Sequence, residues 1–190
     1  MLGPVEIDPR WQQPLTVAQY HRMIDAGILD EDDKLEMLEG FLIAMSPQEP
    51  PHAHTIRFLN RLFSRGLSDD FEVLCQMPLT LARSEPEPDL AVTDGRRSWP
   101  RHPETAFLVV EVASSSLKKD LGVKAAIYAE AGVVEYWVVN VDDDWVEVLR
   151  DPDPATRRYA TRDRVSAPAE IVPVALPGLT VRVADLFLPR

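Results

Sequence analysis

The spacing of apolar and polar residues predicts two helices and a hairpin in the first half of the chain. Apolar residues recur at helical spacing between residues 53 and 66. Thr16 and Gln19 have the spacing of a capping box, which marks the start of an earlier helix. Two short apolar runs between these helices meet at Glu39-Gly40, and this pattern predicts a hairpin that turns there.

The second half of the chain is dominated by a strand, a helix and another strand. The short apolar runs 106–113 and 133–141 are typical of strands that are buried on both faces. Between them, residues 117–131 have the caps and length of a helix of about four turns. Such a crossover favours parallel strands. Further strand-like runs lie at 71–76, 78–82 and within 145–187. The predicted fold class is α/β, or α+β, with a mixed sheet flanked by helices.

Length and composition limit the class of protein. A chain of 190 residues with 45% hydrophobic residues is sufficient for one domain with its own core. We therefore predict a single domain over residues 1–190, with an N-terminal arm at about 1–15. No apolar run is long enough to span a membrane, and the N-terminus lacks the pattern of a secretory signal. Cys75 is the single cysteine, which fits a cytoplasmic protein.

The net charge of −11 argues at first against a nucleic-acid partner, because polyanions bind basic surfaces. The acidity is local, however. Residues 25–39 contain seven acids and one lysine, and residues 142–144 are three aspartates. The charge therefore permits nucleic-acid binding that is weak, salt-sensitive and confined to one face.

Two carboxylates lie in settings where a charge is costly. Glu111 interrupts an apolar strand, and Asp89 follows a proline at the start of another apolar run. A divalent metal would stabilise both, and oxygen ligands suit Mg²⁺ or Mn²⁺. Alternatively, Glu111 could face solvent at a sheet edge or pair with an arginine.

Three polar residues share one face of the predicted helix 117–131. Asp120, Lys124 and Tyr128 are spaced four residues apart, so they lie within an arc of about 80°. The Lys124 ammonium could then approach the carboxylates at the end of the preceding strand. An ordinary Asp–Lys pair on a solvated helix face explains the same spacing.

Two groups of arginines could contact phosphates. The first shares one face of the predicted helix 53–66 and consists of Arg57, Arg61 and Arg65. The second surrounds Trp99 and consists of Arg96, Arg97 and Arg101. Both indicate candidate nucleic-acid contacts, although a solvated face is the commoner reason for such spacing.

The order of these features along the chain resembles a known family. The resemblance rests on LEMLEG at 35–40, a histidine before a helix, Pro88-Asp89, LVVEVAS at 108–114, the spaced Asp120, Lys124 and Tyr128, and GVVEYW at 132–137. It extends from about residue 15 to residue 187. The family is the Uma-two family of bacterial restriction-endonuclease-like proteins, which belongs to the PD-(D/E)xK nuclease superfamily.

The resemblance implies a metal site at the centre of a restriction-endonuclease-like core. Asp89 and Glu111 would ligate Mg²⁺ or Mn²⁺, and Glu36 would complete the ligand set directly or through water. The superfamily usually has a lysine two residues after the second acid, where this chain has Ala113. Lys124 would supply that lysine from the helix instead.

The resemblance also implies supporting residues around the site. His52, Asp120 and Tyr128 would position the catalytic groups or the substrate. Two departures, Phe41 in place of an acid and Leu35 in place of an aromatic residue, loosen the match around Glu36.

These observations lead to three hypotheses for function. The first is a metal-dependent endonuclease that hydrolyses phosphodiester bonds in nucleic acid, with DNA as the expected substrate. The second is a non-catalytic nuclease-fold protein that binds DNA or another protein as a homodimer. The third is a metal-dependent hydrolase of a small phosphorylated molecule.

Overall fold

The first half of the chain contains the predicted helix and hairpin. The structure is a computed structural model that describes residue 8, residues 11–96 and residues 102–189. Helix α1 (Val17–Asp25) begins at the predicted capping box, in which the Thr16 side chain accepts the Gln19 backbone N–H at 3.2 Å. Strands β1 (Leu35–Leu38) and β2 (Phe41–Ala44) then pair antiparallel. They turn at Glu39-Gly40, where both residues have positive φ.

Helix α2 (Pro50–Gly66) begins three residues earlier than predicted. Pro50 and Pro51 occupy its first turn, where a backbone N–H has no partner within the helix, so proline is tolerated there. The predicted apolar stripe is buried against the sheet and includes Ile56, Leu59 and Phe63. The earlier start places His52 within the helix.

A six-stranded mixed sheet forms the centre of the fold. Its strands are β3 (Phe71–Cys75), β4 (Leu90–Asp94), β5 (Leu108–Ala113), β6 (Glu135–Asn140), β7 (Trp145–Asp153) and β8 (Arg158–Ser166). They lie in sequence order, with β5 and β6 parallel and the other neighbours antiparallel. The predicted mixed sheet and its parallel pair are confirmed.

The predicted strand at 78–82 is wrong. Leu79 and Leu81 are buried, but their backbone N–H groups donate to Pro86 and Ser84 within the same loop. The apolar character of this segment reflects a loop that packs into the core.

The crossover from β5 to β6 is helical, as predicted, but it is not a regular α-helix. It consists of α3 (Leu117–Lys119), a π-helical segment (Asp120–Lys124) and α4 (Ala125–Glu130). We refer to the three together as the crossover helix. The π segment brings residues five positions apart into register, and π turns of this kind occur frequently at functional sites.

Alternating side chains of the sheet build a separate core on each face. One core packs against α2 and the C-terminal segments and includes Val110 and Val112. The other packs against the crossover helix and includes Val109 and Ala113. Because side chains along a strand alternate, Glu111 shares the face of Val109 and Ala113, towards the crossover helix.

The C-terminal segments cover the α2 side of the sheet. They contain β9 (Glu170–Ile171), β10 (Val181–Arg182) and a 3₁₀ helix (Val183–Leu186). Most of the N-terminal arm predicted at about 1–15 lies outside the described residues. None of the helices in the described part of the chain is long and apolar enough to cross a membrane.

Candidate active site

The two candidate acids lie side by side on neighbouring strands. Asp89 immediately precedes β4, and Glu111 lies within β5, which pairs with β4. The Asp89 Oδ2 atom accepts the backbone N–H of Val112 at 2.8 Å, which fixes the carboxylate against β5. Both side chains are buried. Glu111 therefore does not face solvent from a sheet edge.

Lys124 projects from the π segment into this pair of strands. Its Nζ atom lies 2.9 Å from Glu111 Oε1 and 2.9 Å from Glu36 Oε2 on β1. The Tyr128 hydroxyl donates to the same Glu111 Oε1 at 2.7 Å. Lys124 and Tyr128 are buried, so the helix face that carries them is directed to the site and not to solvent.

Asp120 shares that buried face but has a different set of partners. Its Oδ2 atom accepts the Ser116 hydroxyl at 2.6 Å, and its backbone carbonyl accepts the Tyr136 hydroxyl at 3.0 Å. Its Oδ1 atom is buried without a hydrogen-bond partner among the described residues. Asp120 therefore adds negative charge near Lys124 and retains one free acceptor in the site.

His52 reaches the site from the first turn of α2. Its Nε2 atom lies 3.1 Å from Asp89 Oδ2, and its side chain is 16% exposed. The Nδ1 atom is buried and has no hydrogen-bond partner among the described residues. The ring therefore contacts the same Asp89 oxygen that accepts the Val112 N–H.

Lys119 is a site residue that sequence reasoning missed. Its Nζ atom lies 2.7 Å from Glu36 Oε1, and its side chain is 23% exposed at the mouth of the site. In a regular α-helix, positions 119 and 124 would be separated by about 140° around the axis. The i to i+5 register of the π segment brings both lysines to Glu36, and no spacing rule for α-helices could indicate this.

Burial dominates the electrostatics of the site. Burial raises the pKa of Glu111 to about 8; Lys124 opposes this rise, and Asp120, Asp89 and Glu36 add to it. Burial also acts to lower the pKa of the Lys124 ammonium. The neighbouring carboxylates outweigh that effect and raise its pKa, so Lys124 remains charged at neutral pH. The site therefore holds a fixed positive charge among carboxyl groups that are costly to ionise.

The donor chemistry of the site fits a divalent cation. The site encloses a small cavity of about 60 Å³, lined by five carboxyl groups (Glu36, Glu87, Asp89, Glu111 and Asp120) and two lysines (Lys119 and Lys124). The surplus negative charge, the oxygen donors and the unpartnered Asp120 Oδ1 all suit Mg²⁺ or Mn²⁺.

The ligand set is not assembled around one point, however. Within residues 11–96 and 102–189, no three His, Cys, Asp or Glu side chains are grouped as ligands of one ion. The Glu36 carboxylate contacts Lys119 and Lys124 instead. Asp89 and Glu111, on neighbouring strands, could each supply carboxylate oxygens to an ion.

The candidate phosphate-binding arginines are not part of this cluster. On α2, Arg57, Arg61 and Arg65 are exposed and lie about 140–220° around the helix axis from His52. They therefore form the solvent face of α2, opposite the site. Arg96 is exposed and pairs with Asp94 at 2.9 Å, and Arg97 lies outside the described residues.

The fold is similar to that of a solved structure described as a "putative nuclease belonging to DUF820" from Anabaena variabilis ATCC 29413. The TM-score is 0.74 at 15% sequence identity, and the match covers 91% of this chain and 97% of that chain. The mixed sheet with its flanking helices is thus a nuclease-like fold, as predicted.

The chain belongs to the Uma2 family, because the family model described as "Putative restriction endonuclease" matches residues 17–184. The resemblance seen in the sequence motifs is confirmed. None of the curated proteins compared with the chain matches it.

Proposed function

We propose that the protein is a metal-dependent endonuclease that hydrolyses phosphodiester bonds in DNA. Membership of a restriction-endonuclease family supports a nuclease. The proposal of metal-dependent cleavage rests on the buried contact of Lys124 with Glu111, beside Asp89 on the adjoining strand. Two acids that can hold a metal and a lysine that supplies a fixed positive charge can together catalyse phosphodiester hydrolysis.

Asp89 and Glu111 would hold Mg²⁺ or Mn²⁺, with Glu36 completing the ligand set through water. When bound, such an ion lowers the pKa of water and offsets charge on a phosphate. Tyr128 donates to Glu111 and so fixes the orientation of this carboxylate. His52 and the Val112 N–H fix Asp89 in the same way.

Lys124 would act electrostatically and not as a general base. The surrounding carboxylates raise the pKa of its ammonium, so the side chain has no free electron pair with which to accept a proton at neutral pH. A fixed ammonium can orient water and stabilise the charge that develops on the phosphate. Lys119, which is partly exposed at the mouth, would contact the incoming phosphate.

The enzyme would act in the cytoplasm, where its single cysteine would remain reduced. The arginines on the solvent face of α2 lie away from the site, so they would contact more distant phosphates of the DNA.

One observation favours the alternative of a non-catalytic, DNA-binding homodimer. Lys119 and Lys124 already neutralise Glu36 and Glu111 without a metal. A protein that had lost catalysis could keep its fold in this way, since a paired charge in the interior does not require an ion.

Cleavage of a supercoiled plasmid in the presence of Mg²⁺ tests the proposal. We expect the wild type to nick or linearise the plasmid, and we expect Asp89→Asn to lower the rate about 100-fold or more. Asparagine retains an acceptor for the Val112 N–H, so the loss would reflect the missing charge. Asp163→Asn, at an exposed position on β8, is the matched control and should cleave normally.

Wild-type cleavage that persists in Asp89→Asn would reject this site. A wild type that binds DNA but cuts neither with Mg²⁺ nor with Mn²⁺ would support the non-catalytic alternative.

A further inference from the structure

A large groove adjoins the candidate active site and has no role in the proposed chemistry. It has a volume of about 760 Å³, within the range of sites that bind small organic groups. Its walls include α1 and the segments that flank the β1–β2 hairpin. Five residues line both the groove and the active-site cavity, so the two are continuous: Met45, Ser46, Gln48, Gln76 and Glu87. We call this region the base groove.

One wall of the base groove is apolar. Tyr20, Ile24 and Leu29 provide flat or aliphatic surface, and the Ile24 side chain remains 42% exposed there. Exposed apolar surface next to a polar site is suited to the face of an aromatic ring. A nucleobase presents such a face, whereas a phosphate does not.

The base groove is also lined by hydrogen-bond acceptors. Asp30 and Asp33 line it, and each uses one carboxylate oxygen to accept a local backbone N–H. A carboxylate has about four lone-pair sites, so each of these side chains can accept further hydrogen bonds from a ligand. Gln48 and Gln76 add amide groups near the junction with the active site. The groove therefore offers acceptors to a ligand that carries N–H donors.

Charge determines which part of a nucleotide each region can accept. The base groove is lined by Asp30, Asp33 and Glu87 against one lysine, Lys34, so it repels phosphate. The active-site cavity also has five carboxyl groups, but it contains two lysines, and Lys119 is partly exposed at its mouth. A nucleotide would therefore enter with its phosphate towards Lys119 and its base towards the acidic groove.

We propose that the base groove binds one unpaired nucleobase that carries an exocyclic amino group, next to the phosphate to be cleaved. The inference rests on the proposed nuclease function and narrows its substrate to DNA with a single-stranded or splayed nucleotide. Carboxylates accept from the amino group of cytosine, whereas thymine presents a carbonyl oxygen at that position. Cytosine is therefore favoured over thymine.

The test measures binding and not cleavage. Fluorescein-labelled single strands of about 12 cytidines or 12 thymidines would be titrated with protein in EDTA and followed by fluorescence anisotropy. We expect the wild type to bind the cytosine strand about tenfold more tightly. Asp33→Asn retains an acceptor for the Asp30 N–H but places an amide at the groove, so it should remove or reverse this preference.

A pair of matched tryptophan substitutions tests the position of the groove. Ile24→Trp fills the groove and should abolish the preference for cytosine. Ile28→Trp, also on an exposed isoleucine but outside the groove, should bind as the wild type does. Thermal unfolding of each variant would show that the fold is retained.

Two outcomes separate the inference from the proposed function. Equal affinity of the wild type for both strands, or an unaltered preference for cytosine in Ile24→Trp, would reject the binding of a nucleobase in the base groove. Neither result would bear on plasmid cleavage. A wild type that binds neither strand and cuts no plasmid would reject the nuclease proposal, and the base groove with it.

Discussion

Replacement of Lys124 by methionine should destabilise the protein in a pH-dependent manner. The Lys124 ammonium lies 2.9 Å from carboxylate oxygens of both Glu36 and Glu111, and all three side chains are buried. Methionine is unbranched and of similar length, so Lys124→Met removes the charge without a large change in packing. The variant leaves two carboxyl groups facing each other in the interior.

The expected loss follows from the burial of these groups. Removal of one partner from a buried ion pair costs about 3–5 kcal/mol. Lys119 still contacts Glu36, so we expect the lower end of that range, about 3 kcal/mol, when Glu111 is ionised.

The sign of the pH dependence is set by Glu111. Burial raises its pKa from 4.5 to about 8, so the folded protein holds this proton more tightly than the unfolded chain does. Stability therefore falls as the pH rises from about 4.5 towards about 8. Without Lys124 the pKa of Glu111 rises further. The loss of stability caused by Lys124→Met should therefore be small near pH 4.5 and largest above about pH 8.

Urea denaturation monitored by tryptophan fluorescence, to which the buried Trp137 and Trp145 contribute, measures the free energy of unfolding at each pH. Lys118→Met, at an exposed position of the same helix, is the matched control and should change stability by less than about 0.5 kcal/mol. The double variant Lys124→Met with Glu111→Gln should regain part of the loss at high pH. A loss of stability that is equal at low and high pH, or a double variant no more stable than Lys124→Met, would be inconsistent with a charge pair between Lys124 and Glu111.

Three further predictions concern other charged groups. Glu135→Gln should lower the free energy of unfolding by about 2–3 kcal/mol, because the fully buried Glu135 carboxylate accepts from Arg150 and from a backbone N–H. Glu147→Gln should lower it by less than about 1 kcal/mol, since the two arginine partners of Glu147 are about half exposed. Equal losses for the two variants in urea denaturation would be inconsistent with this difference. Lys119→Met should weaken DNA binding in an anisotropy titration several-fold relative to Lys118→Met, and equal affinities would exclude a phosphate contact at Lys119.

The parts of the fold that follow local rules could be predicted from the sequence. The capping box at Thr16 and the turn at Glu39-Gly40 depend on few residues, and both are present. The parallel pair of β5 and β6 follows from a helical crossover between two apolar strands. The segment at 78–82 could not be distinguished from a strand, because loops that pack into a core are equally apolar.

The candidate site, too, could be predicted from the sequence only in part. Glu111 stood out because an acid within an apolar strand is costly, and the structure places it in contact with Lys124. Lys119 could not be found, because its position depends on a π segment that propensities do not reveal. The base groove depends on which loops meet beside α1, and that is decided by tertiary packing.

We propose that Asp89 and Glu111 hold the metal of a nuclease. An anomalous difference map from crystals grown with Mn²⁺ tests it most directly. We expect a peak in contact with the carboxylates of Asp89 and Glu111, beside Lys124. The absence of a peak there at saturating Mn²⁺, or a peak confined to the aspartates at 142–144, would contradict it.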